Sequence, residues 1–258
     1  MTDGPGSAAP ALALHEFASP DAGYDALERG QPVDVLEWAA ATVDRLAVAT
    51  SFQSSGLVIL HMLRSIRPDI PVLFLDTGFH FAETMEFRTH IRDLWDLKLV
   101  DVRGAHGSPA AQAARYGPEL YRTDPERCCF INKVEPLQAA LEDFDGWMSG
   151  IRRDQSPLRA DTPIVEAQML PSGNEVLKIH PLARWGKDDV QSYLRLHEIP
   201  THPLLENGYR SIGCTPCTRP VSGSDDDRAG RWESFSKTEC GIHTFGKGRG
   251  GHQTEAEQ

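Results

Sequence analysis

The stretch "RLAVATSFQSSGLVILHMLRSIRPDIPVLFLDTGFHFAET", residues 45–84, decides the fold. It opens on RLAVATSF, a short apolar run of strand length that ends in small and polar residues. SSGLVILHMLRSIRPD follows, with apolar residues at helical spacing and a proline after its end. IPVLFLDTG is a second strand, continuously apolar in the manner of strands buried on both faces of a parallel sheet. HFAETMEFRTHIRDLWD then predicts a helix and LKLVDV a third strand. This rhythm of strand, helix, strand, helix, strand is that of βαβ units, and it predicts an α/β fold on a parallel sheet.

Upstream, DAGYDALERG and PVDVLEWAAATVD predict two helices, the second with a proline in its first turn. Downstream, PERCCFINKVEPLQAALEDFD predicts one helix carrying two cysteines near its start. GWMSGI and EVLKIHPLARW predict strands, and KDDVQSYLRLHEIP a helix ended by Pro200. The organisation expected is a loosely ordered, Gly-, Pro- and Ala-rich N-terminus over 1–20, one α/β domain over 21–220, and a loop-rich C-terminal tail over 221–258.

The net charge of −11, from 26 basic and 37 acidic residues, argues against a general nucleic-acid binder, whose affinity rests on a basic face. The arginines are nevertheless clustered, as Arg152, Arg153 and Arg159 in one stretch and Arg228 and Arg231 in another. Local basic clusters in an acidic chain suit a small anionic ligand. No window reaches the roughly 18 consecutive apolar residues of a membrane helix. The N-terminus has no basic region ahead of its short apolar patch, so no secretory signal is read and a cytoplasmic location is expected. There, thiols are metal-binding or catalytic more often than disulfide-bonded.

Three motifs carry chemistry. The turn after the first strand holds Thr50, Ser51, Ser54, Ser55 and Gly56, and hydroxyls at a helix N-terminus suit a phosphate. It is neither a Walker A loop nor a GxGxxG fingerprint, and serines there also serve as ordinary helix caps. Four of the five cysteines form two pairs, Cys128 with Cys129 and Cys214 with Cys217. Four thiolates are the complement of an iron–sulfur cluster or a structural zinc; a redox dithiol and plain buried thiols are the remaining readings. Adjacent cysteines on a helix point about 100° apart, which suits two corners of a cubane better than one ion. Cys240, in "ECGIH", is left over, and an unpaired thiol in so small a set is a candidate nucleophile.

With LDTGFHFAET, the two cysteine pairs and ECGIH together, the chain resembles the adenosine 5′-phosphosulfate (APS) and 3′-phosphoadenosine 5′-phosphosulfate (PAPS) reductases. The likeness runs over about residues 45 to 245. It implies a Rossmann-like PP-loop (adenine nucleotide alpha hydrolase-like) parallel-sheet domain with a flexible C-terminal catalytic tail. The vicinal cysteines plus a distant CxxC match the APS-reducing branch, where they bind a [4Fe–4S] cluster; simpler PAPS reductases lack them. The resemblance places Lys133 near both cluster and substrate. It implies a substrate pocket drawn from Ser51, Ser54, Ser55, Asp76, Thr77, Gly78, Arg152, Arg153, Arg228 and Arg231, with His243 beside Cys240.

The activity implied is thioredoxin-dependent reduction of APS to sulfite and AMP in assimilatory sulfate reduction, through a thiosulfonate on Cys240. The tail then moves between substrate and thioredoxin. Two departures are visible: Ile242 stands where the family usually has Leu, and Gln53–Leu57 contains no carboxylate, unlike the acidic loop of some members. The alternatives are a PAPS reductase, an iron–sulfur PP-loop enzyme that thiolates tRNA, and a non-enzymatic metal sensor. The thiolase would need an SGGxDS-type loop and a basic surface, and this chain has neither. A sensor leaves ECGIH and RAGRW without a role. Both a monomer and a homo-oligomer are compatible with the exposed faces of the N-terminal helices.

Overall fold

The computed structural model describes residues 24–223, 228–232, 237, 239–243 and 245. The N-terminus over 1–20 and the glycine-rich stretch after residue 245 lie outside them.

Two helices, α1 (Asp25–Arg29) and α2 (Pro32–Thr42), precede the alternating unit β1 (Leu46–Ala49), α3 (Ser54–Ile66), β2 (Val72–Leu75), α4 (Ala82–Trp95) and β3 (Leu99–Val102). Short helices α5 (Pro109–Tyr116), α6 (Leu120–Thr123), α7 (Pro125–Cys129) and α8 (Glu135–Leu141) lead to β4 (Gly146–Ser149). The chain continues through β5 (Val165–Met169), β6 (Glu175–Ile179) and α9 (Lys187–Leu196). The six strands form one sheet in the order β3-β2-β1-β4-β6-β5.

The strand side chains bury alternately to opposite faces, as the two-residue period of a strand dictates. Leu46, Val48, Val72, Phe74 and Met148 pack with α2, α3, α4 and α9 in the larger core. Ala47, Leu73 and Trp147 pack on the other face with Leu137 and Leu141 of α8. Burial on both faces explains why these strands read as unbroken apolar runs.

Two features differ from the sequence reading. The sheet is parallel except for β5, which pairs antiparallel with β6 through Glu166–Lys178 and Gln168–Val176. The polar residues of VEAQM hide this strand, although the PSGN turn after it, with Gly173 at φ 93°, is a hairpin connection. The helix expected over 125–145 is split by a π-helical turn, Phe130–Val134. Pro136 lacks the N–H that would bond the carbonyl four residues back, and its ring crowds that carbonyl, so the helix widens ahead of it.

Candidate active site

Strands are added outward from β1 through β2 and β3, then on the other side from β4. The order reverses between β1 and β4, and beyond their carboxyl ends open α/β sheets bind ligands. The serine turn lies there. Phe52 takes φ 56° in the left-handed region with its ring fully buried, and Thr50 Oγ1 accepts its N–H at 3.0 Å. Gln53 supplies no side-chain cap to α3. Its amide instead donates to Ile212 O at 2.9 Å and accepts from Ile212 N at 2.9 Å, tying the helix start to the loop before Cys214. A second Gln53 N–H bond reaches Ser51 Oγ at 2.9 Å. Without a side-chain cap, the first-turn N–H groups of α3 remain suited to an anion.

The exit of β4 passes directly beside this turn. A Cβ on Gly150 would sit 3.0 Å from Ser55 Cβ and 3.2 Å from Gly56 N, so glycine permits the approach. Arg152 follows, buried, with Nη1 donating to Ser55 Oγ at 2.6 Å and Nε held by Asp154 at 2.9 Å. Arg153 turns the other way, to Glu28 at 2.7 Å and Thr162 O at 2.8 Å. The structure therefore brings Arg152, and not Arg153, against the serine turn.

After β2, Asp76 Oδ1 accepts from Gly78 N at 3.0 Å and Oδ2 from Arg103 Nε at 2.9 Å, with Gly78 at φ 72°. Burial alone would raise the Asp76 pKa, but the Gly78 N–H and Arg103 outweigh it and hold the carboxyl below its ordinary value. The Thr77 hydroxyl is buried, 3.4 Å from Cys214 Sγ.

All four paired cysteines line one cavity, together with Thr77, Lys133 and Trp232. The amides of Gln112 and Asn132 aim N–H groups at Cys128 Sγ, at 3.9 and 3.6 Å. Burial and the neighbouring Cys214 nonetheless push the Cys128 thiol up to about 11, and the same two causes raise Cys217. Burial opposes the charge on Lys133, but the sulfurs of Cys214, Cys240 and Cys129 prevail and raise its pKa. Among the described residues, no three His, Cys, Asp or Glu side chains gather as tightly as one metal ion requires.

Cys240 sits against Cys129 and Trp232, only 7% exposed. The Cys129 thiol donates to its sulfur, and Lys133 and Arg231 add positive charge, so that despite burial its pKa falls well below that of a free thiol. Arg231 stacks 4.4 Å from the Trp232 ring centroid. Any Cβ on Gly213 would lie 2.3 Å from the Arg231 guanidinium, so a side chain there would displace the end of Arg231. The preceding Glu239 is clamped by Arg159 at 2.9 and 2.7 Å, with Arg228 at 3.3 Å. Burial lowers Arg228 to about 10, which leaves it charged at neutral pH. His243 is half-buried beside Arg159, Lys178, His180 and Arg228; burial first, then those charges, lower the pKa of its imidazole well below the ordinary value. Its Nδ1, Arg231 Nε and Trp232 Nε1 are buried with no hydrogen-bond partner among the described residues. Buried polar atoms left without a protein partner suit a polar ligand.

Sequence reasoning missed Gln53, Trp232 and the Arg159–Glu239 pair. Arg159 was visible as a basic residue, but its partner lies 80 residues away and nothing local connects them.

A family model described as the phosphoadenosine phosphosulfate reductase domain matches residues 45–220. Relatives named adenosine 5′-phosphosulfate reductase include one from Halalkalibacterium halodurans, 41% identical over 84% of this chain and 94% of its own length. One from Salinibacter ruber is 45% identical over 83% of this chain and 84% of its own. Among solved structures, the phosphoadenylyl-sulfate (PAPS) reductase of Candida auris, in a phosphate complex, superposes with a TM-score of 0.68 at 27% identity, covering 82% of this chain and 100% of that one. A Candida glabrata FMN adenylyltransferase, at 13% identity and a TM-score of 0.53 over 84% of this chain and 77% of its own, shares the fold alone. With the matched domain spanning the β1/β4 switch point and relatives of 41–45% identity over most of its length, the chain belongs to the phosphoadenosine phosphosulfate reductase family.

Proposed function

We propose that this protein reduces adenosine 5′-phosphosulfate to sulfite and AMP, an oxidoreductase step of sulfate assimilation, with Cys240 as nucleophile. The observation that carries the reading is the seat of Cys240: a buried sulfur flanked by Lys133 and Arg231, beside the cysteine-lined cavity. The Cys240 thiolate attacks the sulfate sulfur, the bond from that sulfur to the bridging phosphate oxygen breaks, and AMP leaves with the bond electrons. Cys240 is left as a thiosulfonate. A thioredoxin dithiol then attacks Cys240 Sγ, sulfite departs, and the second thioredoxin thiol resolves the mixed disulfide, which supplies the two electrons.

The chain's own groups have definable parts in this. Arg152, Ser51, Ser54, Ser55 and the α3 N-terminus bind the nucleotide phosphate, with Asp76, Thr77 and Gly78 at the neighbouring edge. Arg228, Arg231 and Lys133 neutralise the phosphosulfate, and guanidinium forks match its geometry. His243 donates a ring N–H to a substrate oxygen. Arg153 holds the arginine loop to α1 through Glu28. The segment around Cys240 presents the thiol first to substrate and then to thioredoxin.

A [4Fe–4S] cluster fits the donor set. Four thiols line one cavity, N–H groups point at Cys128 Sγ, and burial opposes ionisation of that thiol until a cation joins it. Cys128, Cys129, Cys214 and Cys217 would hold it, and its charge would act on Lys133 and the substrate electrostatically. Lys133→Ala should then cut turnover while leaving the visible spectrum of the loaded protein nearly intact.

Identity of 41–45% to relatives named APS reductase, against 27% to the PAPS enzyme, favours APS as substrate. The test is peptide mass spectrometry of anaerobically purified protein incubated with APS or PAPS in the absence of thioredoxin. A sulfonate on the Cys240 peptide with APS supports the reading; an unmodified Cys240 in folded, metal-containing protein overturns it.

A further inference from the structure

Lys178 is among the most deeply buried side chains of the molecule, 1% exposed, in a strand whose neighbours are apolar. A lysine is rarely so buried without partners, and an apolar residue would serve the core at least as well. Its amine lies 3.0 Å from Glu166 and donates to the main-chain carbonyl of His243 at 3.2 Å. Glu166 and Lys178 are a cross-strand pair of the β5–β6 hairpin, and Gln168, two residues along β5, shares their face. Gln168 Nε2 donates to the main-chain carbonyl of Phe245 at 2.8 Å. Trp147 Nε1 donates to Gln168 Oε1 at 2.9 Å, which fixes the amide so that its N–H side faces Phe245.

We propose that Lys178 and Gln168 are positioning residues, through which the antiparallel hairpin docks the C-terminal segment by its backbone and so sets the place of Cys240. This rests on the reading of Cys240 as nucleophile. Two donors on one face meet carbonyls two residues apart, and contact through carbonyls fixes position while asking nothing of the segment's side chains. Ile242 and Phe245 add apolar contact with the Trp147 side of the core. Cys240 lies one short 3₁₀ turn, Gly241–His243, from the first anchored carbonyl, so a shift of the anchor is a shift of the sulfur. Glu166, drawn down to about 2 against burial by His180 and Lys178, keeps the lysine's charge compensated. The apparent oddity of one antiparallel strand on a parallel sheet thereby acquires a purpose.

The experiment reads docking without turnover. Wild-type protein, Gln168→Met and the double variant Glu166→Gln/Lys178→Met, which strands no buried charge, are purified anaerobically with the metal they carry. Each is treated with iodoacetamide, and Cys240 alkylation is followed by peptide mass spectrometry. Both variants should alkylate Cys240 about tenfold faster and lose kcat by a similar factor, with thermal midpoint, metal content and AMP binding unchanged. Alkylation within about twofold of wild type in folded variants overturns the proposal. Should the double variant fail to fold, Gln168→Met alone decides. A wild-type Cys240 that takes no sulfonate from APS, while the alkylation rates change as expected, sinks the proposed reaction and leaves the docking role standing.

Discussion

The sheet body and the segment around Cys240 are held by different kinds of force. In the body, ladder hydrogen bonds and side chains buried on both faces act together, and burial is non-directional and additive with area. Among its described residues the segment has few apolar anchors, Ile242 and Phe245 among them, and these residues are otherwise held by directed contacts from distant elements. Arg159 and Arg228 take Glu239, Glu126 pairs with Lys237, and Lys178 and Gln168 take two carbonyls. Each such contact contributes about 1 kcal/mol net, so a few can be exchanged without opening the body. Stability and reach are thus assigned to separate regions of one chain.

The largest expected effect tests whether the chemistry belongs to the segment. Cys240→Ser should lower turnover at least ~1,000-fold, since the nucleophile itself is lost, while the thermal midpoint and metal content stay at wild type. A midpoint that fell with activity would show the thiol to be structural. The converse is Leu36→Ala, deep in the larger core. It should cost about 3 kcal/mol in urea unfolding but leave the rate of Cys240 sulfonation in native buffer unchanged. Parallel loss of both would erase the distinction between the regions.

The acid response should also belong to the body. His202 is fully buried; its Nδ1 accepts from Leu204 N at 3.2 Å, so the ring proton sits on Nε2 toward Thr84 Oγ1 at 3.0 Å. Burial lowers its pKa from 6.5 to about 4. The unfolded chain therefore binds a proton that the folded one refuses between those values. Stability should fall as pH drops from 6.5 and level off near 4, by roughly 3 kcal/mol in all. Urea midpoints measured across that window should lose most of this slope in His202→Gln, and an unchanged slope would assign it elsewhere. The smallest effect sharpens the segment side: Glu239→Gln, which removes the carboxylate shared by Arg159 and Arg228, should lower kcat about tenfold, near 1.4 kcal/mol, with the body's thermal midpoint unmoved.

Much of the molecule was legible in the residues alone, because the signals were local. Three parallel strands and their helices follow from apolar runs and helical spacing within windows of a dozen residues. The two cysteine pairs, the DTG turn and ECGIH are contiguous words, and both cysteine pairs line one cavity with Thr77. Tertiary structure alone decided which arginine meets the serine turn, because Arg152 and Arg153 are neighbours in sequence and only the exit of β4 beside Gly150 separates their directions. It alone revealed the antiparallel strand, whose polar residues are needed to reach the segment. It also joined Glu239 to Arg159 and His243 to Lys178 across 80 and 65 residues. Polar contacts at that separation leave no period in a sequence; they exist only once the apolar pattern has folded the sheet that brings them together.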